Sequence, residues 1–150
     1  MPTIDRSTVS IRFSGQDLDP DELTRVLSYS TLESIRPQYH TRIHRGRSKS
    51  PIEKGIWSLG YGEIDSVDLE LKIETLLNKL TDDLKVWHQI ASQYKGNVFC
   101  GLFLDGWNRG FELSSELLEK LANRKLKIGF DIYSPVDTWD NSAESESRPT

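Results

Sequence analysis

A single cysteine, Cys100, excludes an intrachain disulfide framework. The nearest thing to a long hydrophobic run is Val98–Leu104, far too short to span a bilayer. No basic start leads into an apolar stretch, so no secretory leader is expected and a cytoplasmic setting is. An excess of positive charge is also missing. The chain carries −4, of which −3 lies in the segment from Val136 to Thr150, so overall charge gives nucleic-acid binding no support. There is no internal repeat, no glycine-rich phosphate loop, no dinucleotide fingerprint and no glycine-serine-glycine elbow.

What is present reads as one domain over residues 1–135 followed by a flexible acidic tail, 136–150, poor in apolar residues. A chain of 150 residues buries roughly 68–70% of its unfolded surface and needs no metal to fold. Met1–Arg6 reads as a flexible lead-in. Val9, Ile11 and Phe13 alternate with polar residues, which predicts a half-buried strand. Leu18-Asp19-Pro20-Asp21-Glu22-Leu23 marks a helix start. Asp19 fits the cap, Pro20 the first turn, Glu22 a reach back to the cap amide, and Leu18 with Leu23 a hydrophobic staple. Leu23, Val26 and Leu27 form its stripe.

Looser alternation over Ile35–Ile43 predicts a strand that Pro37 confines to an edge or delays. Arg45–Glu53 reads as a basic loop, and Ile56–Tyr61 as a strand closing a long hairpin. Asp65 or Ser66 can cap the next helix, whose stripe is Leu69, Ile73, Leu76, Leu77 and Leu80. Thr81-Asp82-Asp83 offers a fresh cap for Leu84, Trp87, Ala91 and Tyr94, and Gly96 a helix stop. The apolar run Val98–Leu104 predicts a central strand buried on both faces. Ser114 caps a helix carrying Leu117, Leu118 and Leu121, ended by Asn123, and Leu126, Ile128, Phe130 and Ile132 alternate as a strand wet on one side. The fold class expected is α+β: a ferredoxin-like split βαβ core with an appended helix and strand, helices packed on one side of a mixed sheet.

Four blocks in order carry a resemblance: FSGQDLDPDEL (Phe13–Leu23), GIWSL (Gly55–Leu59), FCGLFLDGWNRGFELSSELL (Phe99–Leu118) and LKIGFDIYS (Leu126–Ser134). Together they resemble the bacterial domain-of-unknown-function family numbered 4279, over about Val9 to Tyr133. The resemblance implies a small soluble bacterial protein and brings no activity, cofactor or catalytic residue.

The strongest candidate site is the polar exit of the apolar run, Asp105, Trp107, Asn108 and Arg109 between Gly106 and Gly110. Arg109 can grip a carboxylate or phosphate, Asp105 can act as base or orienter, and Trp107 can stack or anchor a partner. The same residues also suit a plain turn in which Asp105 pairs with Arg109. Arg42, Arg45 and Arg47 in the basic hairpin are anion-binding candidates. His40, His44 and His88 complete no metal motif, Cys100 has no adjacent base, and no catalytic set, metal site or cofactor is assigned. The expected function is a non-enzymatic protein-binding module, such as a toxin-neutralising, immunity-type partner. The alternative is a pocket for a carboxylate or phosphate ligand at the strand end. Oligomeric state is not legible from the sequence.

Overall fold

The computed structural model describes residues 4–28, 37–44, 52–61, 64–106 and 108–134, and of residues 37–44 and 52–54 the backbone alone. Nine elements follow one another: β1 (Arg6–Gly15), α1 (Pro20–Val26), β2 (Pro37–His44), β3 (Ile52–Gly60), α2 (Leu69–Asn78), α3 (Leu84–Gln93), β4 (Lys95–Phe103), α4 (Ser115–Asn123) and β5 (Lys127–Tyr133). The strands form one sheet in the order β2-β3-β1-β4-β5. β1 pairs antiparallel with both β3 and β4, β2 pairs antiparallel with β3, and β5 runs parallel to β4. The fold is therefore α+β with a mixed sheet. The units β1-α1-β2 and β3-α2-α3-β4 interleave, each crossing one strand position, and α4 carries the chain to the neighbouring parallel place.

Capping explains where the helices begin. Asp19 accepts the Asp21 amide at 3.0 Å, with Pro20 in the first turn, and Leu18 and Leu23 are both buried. Glu22 does not reach back to the cap; it pairs with Arg25 at 2.8 Å, one turn ahead. Asp83 and Ser114 cap α3 and α4. The cap of α2 is Asp68, not Asp65 or Ser66. Pro37 both delays β2 and leaves it at the edge, where a missing N–H costs no ladder bond.

The core lies on one face of the sheet. Val9, Ile11 and Phe13 of β1, Trp57 and Leu59 of β3, and Val98, Cys100 and Leu102 of β4 meet the stripes of α1 to α4. The Phe13 ring sits 5.8 Å from Trp57 and 6.1 Å from Trp87, and both indoles are fully buried. Gly96 is not a helix stop. It lies inside β4, where a Cβ would come within 2.5 Å of the Phe13 ring, so its lack of a side chain seats that ring. In α3 the buried positions are Trp87 and Ile90, while Leu84 is partly exposed.

Two strand expectations change. β4 is interior, but the middle strand is β1, and β4 is buried mainly on the helix side. Its other parity, Phe99 and Phe103, stays half-buried on the open sheet face, under Arg12 and beside Tyr133. A run this apolar is explained by aromatic packing on the open face rather than by a second helical layer. From Leu126, just before β5, cover is lost along the strand: Leu126 is 6% exposed, Phe130 38% and Ile132 57%, and among the described residues β5 is an edge strand.

Candidate functional site

The polar exit of β4 closes onto the start of β1. Leu104 still donates to the Tyr133 carbonyl at 3.0 Å, and the next amide, Asp105, donates to Asp5 Oδ2 at 2.7 Å. Arg109 Nε donates to both Asp5 oxygens, at 3.2 and 3.1 Å, and Nη1 donates to the Asn108 carbonyl at 3.0 Å. The guanidinium lies over Gly106, where a Cβ would come within 2.7 Å of Nη1. The Asp105 amide, then Arg109, hold the Asp5 carboxyl below its ordinary pKa of 3.8, against the effect of desolvation. Within the lead-in, Ile4 packs on the core and Asp5 anchors the turn.

Among the nominated residues, Arg109 thus faces Asp5 rather than an open pocket. The Asp105 side chain is 63% exposed, with Arg6 at 3.8 Å, and Asn108 is exposed. Trp107, Arg45 and Arg47 lie outside the described residues. Arg42 is placed by backbone alone, in β2 opposite Lys54 of β3. The basic loop and the tail of 136–150 likewise lie outside the described residues, apart from the strand residues at the loop's ends.

A cleft of about 610 Å³ opens beside this corner, on the helix side. Ile4, Val67, Leu69, Phe111 and Leu113 give it apolar walls, with Ser7 among its lining residues. Asp68, Glu70 and Glu112 give it acidic ones. The N-termini of α2 and α4 both reach it, and each has a capped amide. Asp68 accepts Leu71 N at 3.2 Å, Ser114 Oγ accepts Leu117 N at 3.1 Å, and Glu70 accepts the Ser114 amide at 2.5 Å. An anion entering here meets three carboxylates, Asp68, Glu70 and Glu112, beside two helix starts that each carry a capping side chain. Phe111 and Val67 remain 38% and 36% exposed.

Behind the cleft stands Lys72, fully buried. Its ammonium donates to the Ser7 carbonyl at 2.6 Å and the Asp65 carbonyl at 3.2 Å, and pairs with Asp65 Oδ1 at 2.7 Å. The Tyr61 ring centroid lies 5.2 Å away. That hydrogen bond from Lys72 is the main cause holding the Asp65 carboxyl below its ordinary pKa. Asp65 is therefore a structural partner that pins α2 to β1, which frees Asp68 to be the cap. Sequence reading missed Lys72, although position 72 falls on the Leu69–Ile73–Leu76 stripe. A lysine on an apolar stripe signals a buried charge in need of acceptors.

Cys100 is fully buried, and desolvation pushes its thiol up to about 12, so it is no nucleophile at neutral pH. His88 Nε2 lies 2.7 Å from the Asn123 carbonyl and ties α3 to the end of α4. Among the described residues, no group of three or more His, Cys, Asp or Glu side chains could hold a metal ion, and no helix is long and apolar enough to cross a membrane.

The family model described as a domain of unknown function, DUF4279, matches residues 5–135. No curated protein and no solved structure matches the chain.

Proposed function

The chain belongs to the DUF4279 family, and from the geometry at the exit of β4 we propose that it is a non-enzymatic protein-binding module. The observation that carries this is the cleft between α2 and α4, with exposed Phe111 and Val67 above an apolar interior and Asp68, Glu70 and Glu112 on its walls. Apolar anchors ringed by charge of one sign suit a partner segment that offers apolar side chains between lysines or arginines. The Arg109–Asp5 pair holds the adjoining turn in place, so little ordering cost attaches to binding there. The setting proposed is the bacterial cytoplasm, and the particular role is that of an immunity-type partner neutralising a basic toxin.

The test is capture from native lysate on the wild type, Glu112→Lys and Val67→Asp. The reading expects a salt-sensitive partner held by the wild type and lost from both variants. Equal capture by all three contradicts it.

A second reading, a small-molecule site, is favoured by the cleft's volume, which lies within the roughly 300–1,000 Å³ usual for such sites. Its walls select a cationic ligand rather than the carboxylate or phosphate that Arg109 would suit. A thermal-shift panel of amines and anions separates these, since ligands of the native state raise Tm.

A further inference from the structure

We infer that β5 is the seam of a symmetric dimer, in which a second copy of this chain extends the sheet edge to edge. This rests on β5 and stands apart from the reading of the cleft. Among the described residues, β5 pairs with β4 on one side and ends the sheet on the other. It contains no proline, and its backbone has no positive φ. Edge strands are usually guarded against further pairing by charged side chains, lysine above all, by proline or by a bulge. The two charges of β5, Lys127 and Asp131, are of opposite sign and sit at equal distances either side of Gly129, so they repel a second copy only in registers that do not match them.

That spacing is self-complementary. An antiparallel pairing with its two-fold axis at Gly129 sets each Lys127 opposite the second copy's Asp131, so one contact yields two ion pairs. Any register in which Gly129 is off the axis loses the match. A Cβ at Gly129 would meet nothing within 4 Å, so the centre of the seam is open. Asp131 accepts the Tyr133 hydroxyl at 2.9 Å through Oδ2, which leaves Oδ1 for a lysine. On the helix side the same register sets Ile128 opposite the second copy's Phe130, an aromatic and β-branched cross-strand pair made twice. It also covers Phe130, whose ring lies 5.3 Å from that of Phe111, and Ile132, the most exposed apolar side chain of the strand. A chemically different partner would have no reason to mirror this arrangement of charges.

The test is sedimentation of the full chain from 1 to 100 µM, for the wild type, Lys127→Asp, Asp131→Lys and the double exchange. The expected wild-type mass is twice the 17.2 kDa chain. Each single variant places like charges opposite each other twice and weakens the dimer about tenfold or more, while the double exchange restores it. Restoration at high ionic strength, where net charge is screened, as well as at low shows that the two positions face one another across the axis. A wild-type monomer overturns the inference, including one in which residues 135–150 shield Phe130 and Ile132. So does a dimer whose strength ignores the single changes, or one the double exchange fails to restore.

Discussion

Arg109 and Asp5, 104 positions apart, are joined through Nε to both carboxylate oxygens, and the same carboxylate holds the Asp105 amide. One aspartate thereby ties the exit of β4 to the entrance of β1 and sets the edge of the cleft. Of the two readings the sequence allows for Arg109, a ligand grip and a turn, the contact with Asp5 supports the turn.

Replacing Asp5 with asparagine should lower Tm by a few degrees at neutral pH, because it leaves the Arg109 guanidinium without its anion. The pH dependence has a fixed sign. The Asp5 carboxyl has a folded pKa below its ordinary 3.8, so its contribution is complete above that value and is lost as pH falls through the folded pKa. Thermal melts of wild type and Asp5→Asn should therefore converge as pH falls below 3.8 and through the folded pKa. A gap that widens on acidification would contradict this.

Lys72→Met keeps the aliphatic stem and removes the ammonium, stranding the Asp65 carboxylate and the Ser7 and Asp65 carbonyls. Asp65 keeps part of its contact with water, so most of the loss comes from the two carbonyls and the ion pair left without the ammonium. Urea unfolding should register that loss. A change near zero would mean that Lys72 is held by packing of its stem alone.

Gly96→Ala drives a methyl group into the Phe13 ring. Overpacking of this kind costs about 1–3 kcal/mol. Adding Phe13→Leu should recover part of the loss relative to Phe13→Leu alone, since the two positions share one space. Strict additivity would show that the contact does not govern the site.

The Cys100 thiol, with its pKa at about 12 and no exposed surface, should react with a disulfide reagent only through unfolding. Labelling rates should then track urea concentration along the unfolding limb. Fast labelling of the native protein would contradict the placement of β4.

Local chemistry was legible in the sequence, and distant pairing was not. Asp19-Pro20, Asp83 and Ser114 announce their helices because a cap acts within three residues. The stripe from Leu69 to Leu80 announces α2 because the core contacts recur at the helical period. Asp5 and Asp65 take their meaning from partners on other elements, and for Lys72 the stripe signals burial but not which acceptors meet it. Gly96 was misread because glycine after a helix has two explanations, a turn and a close approach, and only the Phe13 ring decides between them. Of the nominated site, the corner at Asp105–Arg109 was found by its polar turn chemistry. The cleft beside it was not, because it is assembled from residues 4–7, 66–70 and 110–114 together.

The most direct test of the proposed function is amide hydrogen exchange on the captured complex. The account predicts slowed exchange in residues 64–71 and 110–114, the two segments that face each other across the cleft. Unchanged exchange there, with protection confined to the open sheet face or absent altogether, would contradict it.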